Sequence, residues 1–357
     1  MRAWYKLSRN EQVAMKLLSV IVPFHNSALK CSRLIQTLVR CSDPDVEVVC
    51  VDDGSRDSTL EILSEFKLSA ACTVKVIVQK NKGPGGARNN GLDASEGQYI
   101  WFVDSDDDIQ LDVALRVLRK NQSRSPDFID FNIESGGRIF GSTNLSPGIY
   151  AGPEAAARSF GRICSKIFHR RMFQDTGVRY PDYCIYEDNA LLFMLPLYTK
   201  SFIVVSECVY IHHEEYESIT RGERSCRYFD RMMTASWGLA MSLQIDASLS
   251  DVMEAHFVRL YLINTGKITA VPSRFWFEKL RVMRQFRTDA RRLGVYVGRA
   301  QVSTLLSKAS KKYRFVFWML YLLSAIFPSQ TAFFQKMRMK AWGRPFMPPC
   351  LTVVRPE

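Results

Sequence analysis

Between residues 17 and 133, short β-rich apolar runs alternate with segments whose apolar positions recur every three or four residues. The runs Leu17–Pro23, Val46–Asp52, Thr73–Gln79 and Gln98–Val103 have the length and near-continuous apolar character of strands buried on both faces. Helices are predicted near Ser27–Arg40, Asp57–Phe66 and Pro84–Ser95, with Leu34, Ile35 and Leu38 at helical spacing. Such alternation predicts a doubly wound α/β domain with a mainly parallel sheet. Ligands of these sheets collect outside the carboxyl ends of the strands, so the residues at those ends carry the information.

A fifth strand is expected near Pro126–Ile133, and the Gly- and Ser-rich residues 134–152 read as a long loop. A second block, 152–221, contains an apolar run from Phe202 to Ile211 that ends in His212-His213. Residues 222–270 are mostly helical in pattern and carry no chemical motif. The stripe Trp276, Leu280, Met283, Phe286, Ala290 and Leu293 then repeats at spacings of three and four, beside Arg281, Arg284, Arg287, Arg291 and Arg292. It suits either a helix lying on an anionic membrane or one packed on the catalytic domain with a solvated basic face. The thirteen residues from Phe315 to Phe327 fall short of the roughly 20 that span a bilayer, and read as an interfacial or core segment. The chain thus divides into an extension (1–16), a main domain (17–221, with halves 17–133 and 152–221) and a helical C-terminal region (222–357). The apolar run after Lys16 stops at Pro23 with no small-residue cleavage site, which makes it a first strand rather than a signal peptide. Translation could begin at Met1 or Met15.

Composition changes this picture in two places. Nine cysteines with neither a CxxC pair nor a zinc-type Cys/His spacing predict reduced thiols in a cytoplasmic setting. The net charge of +12 is localised: residues 274–357 hold 17 Lys and Arg against 3 Asp and Glu, and the remainder is balanced at 31 against 33. That distribution argues for an appended surface meeting anionic lipid or polymer, and against a nucleic-acid-binding chain.

Four carboxylates, Asp104, Asp106, Asp107 and Asp108, follow the run that ends at Val103. They repel one another unless a cation or hydrogen-bond donors lie among them, and Mg²⁺ or Mn²⁺ favours such oxygen ligands. Asp52-Asp53-Gly54-Ser55 is, taken alone, a turn and helix cap. Asn81 to Gly91 is glycine-rich before a helix and includes Arg88, so backbone and guanidinium could approach a diphosphate. It follows the third strand, not the first, and is therefore not a dinucleotide fingerprint. Glu187-Asp188 heads an apolar helical segment, as dipole-favoured residues or as catalytic carboxylates. Either histidine of His212-His213 could turn inward as a metal ligand or remain a solvated loop residue.

Together these segments resemble the family-2 glycosyltransferases of the GT-A fold, bacterial enzymes that build capsule, lipopolysaccharide and exopolysaccharide. The resemblance rests on SVIVPFHN at 19–26, VDDGSRDST at 51–59, GPGGARNNGL at 83–92, GQYIWFVDSDD at 97–107, YEDNALLF at 186–193 and ESIT at 217–220, in this order. It implies a GT-A-type sheet domain and a metal-dependent inverting transfer from a UDP-sugar to a hydroxyl of a glycan or lipid-linked glycan. Carried over by position, Pro23, His25 and Asn26 would line the uracil pocket, and Asp53 would accept from the base. Arg88 would meet the diphosphate, and Asp104 the ribose and metal shell. Asp106 would ligate Mn²⁺ or Mg²⁺, with His212 as a further candidate ligand. Asp188 would be the general base with Glu187 on the acceptor side, while Asp107 and Asp108 would cap the helix near Leu111–Lys120. The enzyme would work on the cytoplasmic face of the inner membrane, held there peripherally by its basic C-terminal region. A sugar-phosphate nucleotidylyltransferase needs a basic, glycine-rich loop after strand one, where this chain has Phe24-His25-Asn26. A non-catalytic anion-binding surface protein would leave Asp104, Asp106 and Asp188 without a purpose.

Overall fold

The computed structural model of the chain describes residues 15–213, 230–266, 276–294, 302–303, 306–307, 309–327, 339, 342–344, 346 and 349. The expectations for residues 1–14, Glu217–Thr220, 222–229, 267–274 and the Phe286 side chain lie outside the described residues.

The first half follows the alternation of the sequence. Strands β1 (Leu18–Phe24), β2 (Val46–Asp52), β3 (Thr73–Val78) and β4 (Tyr99–Phe102) are parallel, in the order β3-β2-β1-β4. Between them run α1 (Ser32–Val39), α2 (Thr59–Ser69) and α3 (Gly83–Ala94). Successive β1 side chains face opposite sides of the sheet. Val20, Val22 and Phe24 join Leu34, Leu38, Leu63 and Phe66, whereas Ile21 joins Ala87 and Leu92 of α3. Gly91 makes the α3 contact possible, because a Cβ there would stand 2.4 Å from Ile21 Cγ2. α1 starts later than expected, since Lys30 and Cys31 donate back to the Ser27 carbonyl in a separate turn.

Beyond β4 come β5 (Asp108–Ile109), α4 (Leu111–Asn121), β6 (Phe128–Ser135), β7 (Arg138–Gly141), β8 (Gly148–Ala151), α5 (Pro153–Ser159), β9 (Lys166–His169), α6 (Arg171–Gln174), α7 (Asp188–Met194) and β10 (Ser201–His212). The sheet continues β4-β9-β6-β10-β5, with β9 antiparallel to both β4 and β6. Residues 134–152 are therefore not one loop. β7 pairs with β6 and β8 with β10, because the free edges of those strands offer backbone partners that composition does not reveal. The expected capping by Asp107 and Asp108 is also corrected. Gln110 precedes α4 without a side-chain cap, Asp107 is drawn into the sheet by β10, and Asp108 accepts from Ile109 N.

The C-terminal helices α8 (Asp230–Ile245), α9 (Ser250–Gly266), α10 (Trp276–Arg292) and α11 (Lys311–Ile326) extend the α3-side core, which runs from Ile21 through Phe193 and Phe257 to Phe317. α8 lies against α7 at Gly238, where a Cβ would sit 2.8 Å from Phe193. Leu280, Met283 and Ala290 of the predicted stripe are buried. Arg287 is buried too, its guanidinium 3.9 Å over the Tyr321 ring. α10 is thus packed against the body of the protein. No helix among the described residues is long and apolar enough to cross a membrane.

Candidate active site

The carboxyl ends of β1, β2 and β4 converge with the start of α3, the start of α7 and the end of β10. Each polar group there is placed by the element that carries it. At the end of β1, His25 Nδ1 lies 2.8 Å from the Asp53 carbonyl. A carbonyl only accepts, so Nδ1 carries the proton and Nε2 accepts from Asn26 Nδ2 at 3.1 Å. Asn26 adopts φ +49° and accepts from Arg56 N, while Pro23 is half-buried beside it.

Asp53 is buried against α3. One oxygen accepts from Gln79 Nε2 at 2.7 Å and Lys82 N at 2.8 Å, the other from Gly83 N at 2.8 Å. It serves as the anion at the α3 N-terminus. Burial pushes its carboxyl up, and these hydrogen bonds work against that rise. The glycines that follow face protein. A Cβ on Gly85 would stand 2.3 Å from the Pro181 carbonyl and 3.2 Å from Glu187 Cβ. They let the first turn of α3 press against residues 180–187, which brings Arg88 to its partners.

Arg88 is 9% exposed. Its Nη1 donates to Glu187 Oε1, its Nη2 donates to Asp104 Oδ1 at 2.5 Å, and its guanidinium lies 5.5 Å from the Tyr180 ring centre. Burial lowers the guanidinium pKa, but the charges of Glu187 and Asp104 raise it further, so Arg88 stays a cation. Glu187 is pushed up to about 7 by burial and the Asp188 charge, against the pull of Arg88. Asp188, first residue of α7, is half-buried and makes no ion pair among the described residues. Burial raises its pKa, while Arg88 and Arg231 oppose the rise.

In the acidic loop the four carboxylates have separate surroundings. Asp104 pairs with Arg88 and leaves its side chain 42% exposed. Asp107 is buried: Oδ2 accepts from Tyr210 Oη at 2.6 Å, and Oδ1 accepts from His212 Nδ1 at 3.0 Å and His213 N at 2.9 Å. Tyr210 Oη also accepts from Asp104 N at 3.2 Å, which ties the loop to β10. The hydrogen bond to Asp107 raises the His212 pKa. Asp106 has no side-chain partner among the described residues. Burial and the charges of Asp104 and Asp107 push it up to about 6.

Among the described residues no group of three or more His, Cys, Asp or Glu side chains is gathered to hold a metal ion. Mg²⁺ sites commonly use one or two carboxylates, with substrate phosphates completing the shell. Asp106, strained by like charge, and the exposed oxygen of Asp104 are donors of the right kind.

The structure thus brings together Asp53, Arg88, Asp104, Asp106, Glu187, Asp188 and His212, with Pro23, His25 and Asn26 along one wall. Sequence reasoning missed Asp107 as an anchor, along with Tyr180, Tyr210 and Arg231. It also missed Asp230, which accepts from Ile185 N and Trp342 Nε1. Their roles come from partners distant in the chain, which no local pattern at these positions signals.

Residues 19–191 match the family model described as glycosyl transferase family 2. The chain is 38% identical over 112 residues to a poly(ribitol-phosphate) β-glucosyltransferase of Bacillus spizizenii, covering 30% of this chain and 18% of that protein. It is 24% identical over 221 residues to glycosyltransferase GlyA of Streptococcus pneumoniae, covering 57% and 31%. It spans less than a third of either curated relative. The structure of residues 1–349 of Staphylococcus aureus TarS with UDP-GlcNAc superposes with a TM-score of 0.65 at 21% identity, covering 86% of this chain and 90% of that one. At that identity the likeness is one of fold: a GT-A-type α/β architecture followed by helices.

Proposed function

We propose that the chain, whose residues 19–191 match the model of glycosyl transferase family 2, is a metal-dependent inverting glycosyltransferase. Its donor is a UDP-sugar, and its acceptor is a hydroxyl of a glycan or lipid-linked glycan in bacterial surface polysaccharide synthesis. The observation that carries this reading is the Arg88 fork. It holds Asp104 of the acidic loop and Glu187 of the α7 start in one place, with Asp188 adjacent and without an ion pair among the described residues.

Pro23, His25 and Asn26 form the wall for the base, with the His25 ring fixed by Asp53 and Asn26. Asp104 and Asp106 would hold the divalent ion, Mn²⁺ or Mg²⁺, and the Nε2 of His212, its ring oriented by Asp107, would be a further donor. The bound ion would offset charge on the departing diphosphate. Arg88 adds a fixed positive charge at the same crevice. Asp188 then takes the acceptor proton as the new C–O bond forms on the face opposite the leaving group. Its raised pKa makes it a stronger base than an ordinary aspartate. The β-glycosyl product in the relative's name agrees with inversion of an α-linked nucleotide sugar. UDP release from a panel of UDP-sugars, with and without Mn²⁺, tests the proposal; no metal-dependent release with any donor would overturn it.

We place the enzyme peripherally on the cytoplasmic face of the inner membrane, through α11 rather than the packed α10. Phe315, Met319, Leu322, Leu323 and Ile326 form an exposed apolar stripe along α11. Lys311 and Lys312 are exposed at its start, and Trp276 and Phe277 are exposed at the start of α10. An apolar face with lysines at one end complements an anionic lipid surface.

A further inference from the structure

A fully buried ion pair lies just outside the catalytic crevice and has no part in the chemistry above. Lys166 is 0% and Asp130 1% exposed, with Nζ 3.0 Å from Oδ1. The three ammonium protons match three acceptors: Asp130 Oδ1, Ser142 Oγ at 2.9 Å and the Arg162 carbonyl at 3.0 Å. Ser142 Oγ in turn donates to Asp130 at 2.6 Å, and Ser165 Oγ lies within hydrogen-bond distance of Asp130 and of the Arg162 carbonyl. Desolvating such a pair is costly, so its role is sought in what it positions.

It positions Arg162. The Arg162 carbonyl is pinned from inside by Lys166, and the next segment is pinned by Trp101 Nε1, which donates to the Cys164 carbonyl at 2.9 Å. Trp101 stands on β4 directly before the acidic loop. On the other side, Gly161 touches the β7–β8 connection so closely that a Cβ would stand 2.0 Å from the Ser142 carbonyl. The outcome is an exposed guanidinium held 5.2 Å from the ring centre of Phe140, a β7 residue itself 37% exposed. Unlike Arg88, it has no carboxylate or hydrogen-bond partner among the described residues. β9 runs antiparallel on β4 with Ile167 opposite Trp101, so the segment before β9 that carries Arg162 lies toward the carboxyl end of β4, where the acidic loop begins.

We propose that Arg162, stacked on Phe140, is a binding site for a phosphate group of the acceptor, which makes the acceptor a phosphate-bearing glycan or polyol chain. This rests on the glycosyltransferase reading and deepens it. Arg88 reaches Asp104 from α3, while Arg162 lies in the segment that leads into β9 beside the end of β4. A planar guanidinium presents paired N–H donors matched to two phosphate oxygens, and the Phe140 ring offers an apolar face to an adjoining sugar.

Binding to the full chain saturated with UDP and Mn²⁺ tests the proposal. Three probes are compared: a glycerol-phosphate oligomer, a short-chain polyprenyl-pyrophosphate disaccharide and a neutral maltohexaose. The wild type should bind one of the phosphate probes, and which one separates a polymer from a lipid source. Arg162→Ala should weaken that binding about tenfold, as expected for one charge-assisted contact, and Arg162→Lys should recover part of it. UDP affinity should stay unchanged in both variants. Equal binding of the phosphate probe by wild type and Arg162→Ala would overturn the assignment, as would failure of the wild type to bind either phosphate probe, or tighter binding of maltohexaose. Loss of UDP binding by the wild type would instead count against the glycosyltransferase reading and leave the Arg162 comparison to be read separately.

Discussion

Arg88 and Glu187, 99 residues apart in the chain, form a buried ion pair in which neither side chain is more than 10% exposed. The pair joins α3, on the donor side, to the start of α7. Removing one partner strands a buried charge. Arg88→Met should therefore destabilise the fold by about 3–5 kcal/mol, and adding Glu187→Leu should restore part of that loss. Urea denaturation of both variants measures this; a double variant no more stable than the single one would count against the pair.

Asp106 should make metal-free protein less stable as pH rises. Its folded pKa is raised from 3.8 to about 6, so its contribution is fully present below the unfolded value and lost as pH climbs through about 6. In EDTA, Asp106→Asn should melt about 2–4 °C above wild type at pH 8, since a pKa lifted from 3.8 to about 6 is worth at most about 3 kcal/mol and roughly 0.7 kcal/mol shifts a chain of 357 residues by one degree, with no advantage below pH 4. Mn²⁺ with UDP should raise the wild-type melting temperature and leave the variant unmoved. A variant that gains as much from Mn²⁺ would remove Asp106 from the ligand set.

Asp188→Asn keeps size and shape but cannot accept a proton. Turnover should fall by about 10²–10⁴-fold with donor affinity intact. Calorimetric titration with UDP alongside a turnover assay checks it. Loss of UDP binding together with rate would assign Asp188 to the donor site instead.

Membrane association should depend on the α11 stripe. Phe315→Glu with Ile326→Glu places two carboxylates on exposed positions, so folding should survive while flotation with phosphatidylglycerol vesicles is lost. Flotation equal to wild type would argue against this face, as would equal flotation with neutral vesicles.

The first four strands were legible because β-branched runs buried on both faces leave a continuous apolar signature. The crevice was legible because polar residues at strand ends break that signature sharply, as at Asp52-Asp53 and Asp104. Other roles depend on partners distant in sequence. Asp107 looked like a helix cap until Tyr210 and His212 arrived from β10, 103 and 105 residues later. The glycines at 83, 85 and 86 looked like a phosphate cradle, yet Pro181 and Glu187 occupy the space beside Gly85. β7 and β8 are short, with few buried side chains, and backbone pairing at free strand edges leaves little trace in composition.

β9 has four residues, yet it runs antiparallel between two strands that would otherwise not touch. A ribosome must release the chain beyond residue 169 before β4 and β6 acquire their shared neighbour. Until then the nascent polypeptide presents two raw hydrogen-bonding edges, one of them leading straight into the acidic loop. No cut between residues 102 and 166 yields a first fragment with a finished sheet, so the two halves are a description of chemistry and not of separable parts.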